Sequence, residues 1–314
     1  MNSYLKYKFL PKHIRKRWTY GDFLAYRMQE LSVTQIENLM TVEELWKAEK
    51  QLNSNEYRHV FNSKKAFSKH FGQFMIRDIL YLSEASLADF KEFISKHGKI
   101  ILKPDDMYAG LGICVLTAEA DGLYILDGKT RKNYKYDDIW FGYESLHSSG
   151  YVAEEYVLQA DKYASVYPGA LNTIRVTTLI DDEGMPEILF VVNQFGSKGS
   201  IVDNDDESAI WAEADKDTGK IISCDIDDKT GYVNEVHPDT SVNLLEFVND
   251  DIGAICKLAL DAAQVITDCR LVGWDIAVRA DGRLDLIEGN VTPELELYQK
   301  MTGKGLGDRI ARFL

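Results

Sequence analysis

Over residues 12–60 apolar positions recur at three- and four-residue spacing between short polar breaks, a pattern that predicts helices. Thr41 followed by Glu44 makes a capping box for a helix running to about Gln51, and Ser63 is placed to cap another through Lys64-Lys65-Ala66-Phe67. SLADFKEFISKHG, from Ser86, gives a further helix that Gly98 ends. The period then becomes alternating. KIILKP, ICVLTA and GLYILDG read as strands, with a glycine-containing turn, DDMYAGLG, after the first and Asp121-Gly122 between the other two. YVAEEYVL is a strand, NTIRVTTLID and MPEILFVVNQF turn at Asp182 to Gly184, and IWAEA and KIISC turn at Asp217 to Gly219. Helical spacing returns in SVNLLEFVNDDIGAICKLALDAAQVI, apart from an acidic break at Asn249 to Asp251, and again in GLGDRIARFL. Helices interleaved with antiparallel strands define an α+β chain. Its expected divisions are a helical region at 1–85, a small sheet unit at 86–145 and a larger unit at 146–314.

The stretch GWDIAVRADGRLDLIEGN, residues 273–290, holds two alternating runs joined by Asp281-Gly282, the local signal for a two-residue hairpin turn. If Ala280 faces Arg283, then Asp275 lies opposite Glu288 and Gly273 opposite Asn290. Like charges directly opposed on a sheet are destabilising, so a cation is expected between them. Asn290 shares the face of Glu288, and the small Gly273 leaves space beside the carboxylates. Hard oxygen donors of this kind suit magnesium beside a polyphosphate, whereas zinc would call for His or Cys. On this reading Asp275→Asn or Glu288→Gln abolishes the use of that polyphosphate and leaves the fold intact or steadier.

Composition removes several classes. The chain has 314 residues, 45% hydrophobic and 27% charged, as ordinary globular proteins do. With no run of about 18 apolar residues and no apolar leader in MNSYLKYKFLPKHIRKRW, neither membrane insertion nor an exported start is expected. Four scattered cysteines lack metal spacing and fit a reducing cytoplasm. The net charge of −14 argues against general nucleic-acid binding. Acids concentrate after residue 180 and many lysines and arginines before residue 100, an asymmetry able to clasp a nucleotide with its metal.

Lys103 ends an apolar strand just before the glycine turn, where it can reach phosphate while turn amides close over it, although a lysine there is more often a plain strand-end residue. Glu154 or Glu155, with Val157, can offer the acceptor and backbone that adenine requires; paired surface glutamates are the commoner explanation. His237 in EVHPDT is a substrate-orienting candidate or a turn residue. Neither a dinucleotide fingerprint nor a P-loop is present.

The ordered set of LKP, the glycine-capped small sheet, EEYV, WD and IEGN resembles the ATP-grasp superfamily. VYPGALNTIRVTTL, IVDN, HPDT, GWDIAV and IEGN are similar to its sugar-transfer-associated branch. The resemblance implies an ATP-grasp fold whose two α+β subdomains clasp ATP between antiparallel sheets, here with a helical amino-terminal region in place of the usual α/β domain. It implies magnesium on Asp275, Glu288 and Asn290. ATP would be held by Lys103, by Lys65 or, second, Lys64, by Glu154 or Glu155 with Val157, and by Asp161 or Gln159 at the ribose. Gly110 and Gly112 belong to a lid. Asn172 and Arg175 look like a branch signature. The superfamily usually has an arginine where this chain has Gly273, so Arg175, Lys198 or Arg283 must supply that charge. The implied activity is an ATP-dependent ligase joining a small-molecule carboxylate to an amine or sugar acceptor through an acyl phosphate, in surface-polysaccharide assembly. A small-molecule kinase and a non-catalytic ATP-binding module are the alternatives, and an oligomer is compatible with the sequence.

Overall fold

The computed structural model describes residues 2–106, 112–119, 122–127, 130–144, 150–201, 209–226 and 233–314. Two antiparallel six-stranded sheets organise them. The small sheet contains β1 (Ile79–Tyr81), β2 (Lys99–Pro104), β3 (Cys114–Glu119), β4 (Gly122–Asp127), β5 (Thr130–Tyr134) and β6 (Tyr151–Glu155), in the order β1-β6-β2-β3-β4-β5. It therefore draws in strands on both sides of the 86–145 interval.

The large sheet contains β7 (Thr173–Ile180), β8 (Pro186–Phe195), β9 (Ile210–Ala214), β10 (Ile221–Cys224), β11 (Leu271–Val278) and β12 (Leu284–Asn290), in the order β10-β9-β8-β7-β11-β12. β7 and β11 are buried along their whole length because both sheet faces are covered. On one face Ile174, Val176, Trp274 and Ile276 pack under the Ile252–Ala263 helix and the aromatic Lys64–Phe71 helix. On the other, Leu179, Phe190, Val192 and Leu271 meet the Val42–Leu52 and Leu295–Thr302 helices.

Local capping works as the sequence predicts. Thr41 and Glu44 form a reciprocal capping box, Ser63 accepts from the amide of Ala66, and the Leu87–His97 helix ends at Gly98 with φ +68°. SVNLLEF does not become α-helix. Leu244–Glu246 is a single 3-10 turn, and the helix begins only at Ile252. The buried Asn249 side chain holds the intervening loop through Tyr163, Asn193 and the Gly219 carbonyl, bonds that an α-helix could not offer it. Among the described residues no helix is long and apolar enough to cross a membrane.

The hairpin between β11 and β12 corrects the expected turn. Arg279 donates to the Arg283 carbonyl, leaving three residues in the loop, with Gly282 at φ +80°. Val278 therefore pairs with Leu284 and Ile276 with Leu286, one position off the expected register. A bulge beyond Leu286 absorbs one residue and returns the ladder to Asp275 opposite Glu288 and Gly273 opposite Asn290. Arg77 donates to the Leu286 carbonyl at 2.7 Å and to that of Ile287 at 2.9 Å, so it satisfies the backbone where the ladder is broken.

Candidate active site

A cavity of about 940 Å³ lies where the two sheets approach each other. Arg175, Glu288 and Asn290 line it from the large sheet, Lys103 and Glu154 from the small one. Lys64, the Val42–Leu52 helix and residues 294–297 complete its wall.

Arg175, Asp275 and Glu288 stand in a row across β7, β11 and β12. Arg175 grips Asp275 with two parallel bonds, Nε to Oδ1 and Nη2 to Oδ2, both 2.7 Å. Its remaining nitrogen donates to Glu294, and its plane lies 5.3 Å from the Trp211 ring. Burial works against the guanidinium charge, but Asp275 outweighs it and raises the pKa. A β-carbon on Gly273 would come within 3.3 Å of the Arg175 Cδ, so the glycine provides the channel along which the Arg175 stem runs. Arg175, on the strand beyond Asp275, thus neutralises one of the two opposed acids and leaves the other, Glu288, without a direct cationic partner among the described residues.

Glu288 is only partly exposed, and burial together with the Asp275 charge raises its carboxyl pKa; Arg175, Lys103 and Lys64 pull it down. A carboxylate left short of positive charge suits a divalent ion, and the donors fit magnesium in kind, all being oxygen. Asn290 Oδ1 already accepts from the amide and hydroxyl of Thr292 at 2.8 and 3.0 Å, so it would have to exchange one of these to serve a metal.

Lys103 Nζ lies 2.8 Å from Glu154, which Arg77 also meets at 3.0 Å. Burial alone would raise the Glu154 carboxyl, but Arg77 and Lys103 hold it down at about 2. Arg77 further reaches Asp285 at 2.9 Å, so one buried guanidinium ties β6 of the small sheet to β12 of the large one. Asp105 accepts from Ser63 Oγ and the Lys65 amide, both at 2.8 Å, and so fixes the start of the helix that carries Lys64. Burial and then Lys103 lower the pKa of the Lys64 ammonium.

Several expected ligands lie elsewhere. Lys65 pairs with Glu84, outside the cavity lining, and Lys64 takes the inward position. Glu155, on the alternate face of β6, pairs with Arg279 at 2.5 Å. Gln159 is spent on the Tyr167 and Ala170 carbonyls and on Asn172, while Val157 is buried and Asp161 is exposed in the first turn of its helix. Lys198 binds Asp239 through its amide, and Arg283 sits at the exposed hairpin tip on Asp281. Neither lines the cavity, so of the three cations weighed for the charge missing at Gly273, Arg175 alone does. Asn172 anchors the Tyr163 and Tyr167 carbonyls, on the other side of β7 from Arg175, and His237 bonds the Gly196 carbonyl at 2.9 Å. Gly112, at φ +72°, would clash with Pro104 if it carried a β-carbon; Gly110 falls outside the described residues.

Sequence reasoning missed Arg77, Asp105, Asp285 and Glu49. Only Glu49 left a signal: it interrupts the apolar stripe of Leu45, Ala48 and Leu52.

Two antiparallel sheets closing on a cavity walled by lysines, an arginine and acids define an α+β protein of the ATP-grasp class. The chain belongs to the sugar-transfer associated ATP-grasp family, whose model matches residues 47–313. No curated protein matches it in sequence. Among solved structures it is similar to the ATP-grasp ligase PsnB complexed with minimal precursor, at 13% identity and TM-score 0.47, covering 83% of this chain and 63% of that one. D-alanyl-alanine synthetase A from Vibrio cholerae gives 13% identity and TM-score 0.46 over 83% of this chain and 64% of that one. N5-carboxyaminoimidazole synthase from Aspergillus clavatus, in complex with ADP, gives 12% and 0.44 over 76% and 46%. The chain spans less than two thirds of the length of each.

Proposed function

We propose that the chain is an ATP-dependent ligase that joins a carboxylate to an amine or related nucleophile. The observation that carries this reading is the row of Arg175, Asp275 and Glu288, whose outer members line one cavity together with Lys64 and Lys103. A substrate carboxylate oxygen attacks the γ-phosphorus of ATP, the bond to the β-phosphate oxygen breaks, and ADP leaves an acyl phosphate behind. The nucleophile then attacks the acyl carbon, the carbon–oxygen bond to phosphate breaks, and phosphate departs as the nucleophile loses a proton. Negative charge gathers on the transferring phosphoryl group and on the acyl oxygen; Lys64, Lys103 and Arg175 are the fixed positive charges that line the cavity to meet it. Glu288 and Asn290, with Asp275 behind them, would hold magnesium, which neutralises phosphate charge when bound. The family's description supports a place in sugar transfer, so carboxylated sugars and amino acids are the first substrates to try.

Incubation with ATP, magnesium and pools of carboxylates and amines tests the proposal. ADP release that requires both pools, with an amide in the products, is the expected result. ADP release with a stable phosphorylated metabolite and no condensation product would make the protein a kinase. A lack of ADP release under every pool, with ATP still bound, would leave a regulatory module.

A further inference from the structure

The residues that line the cavity are of two chemical kinds. Lys64, Lys103 and Arg175 are cationic, fit for phosphates and a carboxylate. The Val42–Leu52 helix adds a largely apolar wall, presenting Val42, Leu45, Trp46 and Glu49 at the spacing of a single helical face. Leu295 and Leu297 line the same cavity, as do the acids Glu294 and Glu296.

Glu49 is the unusual member. It is 7% exposed, and no hydrogen bond or ion pair engages its carboxylate among the described residues. Its carboxyl is lifted to about 7 by burial, with only the field of Arg58 opposing. Burial disfavours a carboxylate that has no partner. An aliphatic side chain at this point of the stripe would complete the packing of Leu45, Ala48 and Leu52. A cationic ligand group entering the cavity would supply the missing partner.

We propose that the Val42–Leu52 wall is the acceptor subsite, and that it takes a primary amine borne on an apolar group, with Glu49 recognising the ammonium and Leu45, Trp46 and Leu295 receiving the apolar part. The assignment rests on the ligase reading and narrows it: the nucleophile is an amine with an apolar substituent, and a polyhydroxylated sugar is the wrong shape and polarity for this wall. It also gives the Val42–Leu52 helix of the amino-terminal region a task.

Calorimetric titration of the full chain without nucleotide, using n-hexylammonium and the isosteric 1-hexanol as probes, tests the subsite. Wild type should prefer the ammonium by about tenfold or more, the scale of one charge-assisted hydrogen bond, and Glu49→Gln should lose that preference. Trp46→Ala, on the exposed rim, should weaken both probes alike, and it decides the matter if Glu49→Gln does not fold. An ammonium preference that survives in Glu49→Gln, hexylammonium binding that Trp46→Ala leaves unchanged, or equal binding of the two probes by wild type would overturn the proposal. A parallel titration with magnesium and ATP separates the two readings: failure to bind nucleotide counts against the ligase, and the amine result stands on its own.

Discussion

Asp275 and Glu288 oppose one another, yet their situations differ. Asp275 is matched atom for atom by Arg175, whereas Glu288 has only more distant cations. The two neutralising substitutions should therefore act in opposite directions on stability without metal. Asp275→Asn breaks a buried bidentate pair and should lower the unfolding free energy by about 3 kcal/mol, against the sequence-based expectation of a steadier fold. Glu288→Gln removes the like charge and should leave stability equal or higher. Urea denaturation in EDTA checks both.

Glu49 yields a pH prediction. Its folded carboxyl sits near 7, above the ordinary 4.5, so the native state binds the extra proton between those values. The associated stability is present below pH 4.5 and is lost as pH rises through about 7, amounting to roughly 3 kcal/mol. Glu49→Gln should gain about that much on wild type between pH 4.5 and pH 8; a pH-independent difference would refute the raised pKa. At this scale the opposed acids and Lys103 were legible, because alternation and a turn signal are local. Arg77 and Asp105 were not, since their partners lie on other elements. The choice between Lys64 and Lys65 was equally hidden: neighbours on a helix point about 100° apart, and only the Asp105 cap decides which faces inward.

Among elements, the β11–β12 hairpin shows how a right pairing can follow from a wrong turn. An Asp-Gly pair suggests two loop residues, but the chain uses three, with Gly282 in the left-handed region, and the later bulge cancels the shift. Nothing surrounds a β-carbon placed on Gly282 within 4 Å, so Gly282→Ala tests backbone strain alone and should cost about 1 kcal/mol by urea denaturation. The bulge depends on Arg77, which holds two of its carbonyls and two buried acids. Arg77→Ala should destabilise by about 3–5 kcal/mol, measured the same way, because Glu154 and Asp285 are left buried without it. Capped helices were legible because cap and helix are neighbours in sequence. The three-residue strand β1 and the Leu295–Thr302 helix were not, one being defined by its partner β6 and the other by packing on the Val42–Leu52 helix.

For the whole molecule, the α+β class and most of the hairpins were readable because their two strands are neighbours in sequence; β5 and the β7–β11 pairing were not foreseen. The relation between the sheets was not, because it depends on Arg77 and on a cavity that no segment contains alone. A ligand that binds only this folded arrangement must stabilise it. Magnesium with ATP at 100 times its dissociation constant should add about 2.7 kcal/mol, seen as a rise in melting temperature that EDTA reverses. The amine wall has a different dependence. Met40 exchanges both backbone bonds with Gln299, 259 residues away, and Asn38 bonds Gly305. On a ribosome the Val42–Leu52 helix emerges before the sheet residues it packs on, Leu179, Phe190 and Leu271, and the stretch around Gln299 follows later still. The acceptor side of the pocket is thus completed only once Leu295 and Gln299 have been translated, long after Lys64 and Lys103 have left the exit tunnel.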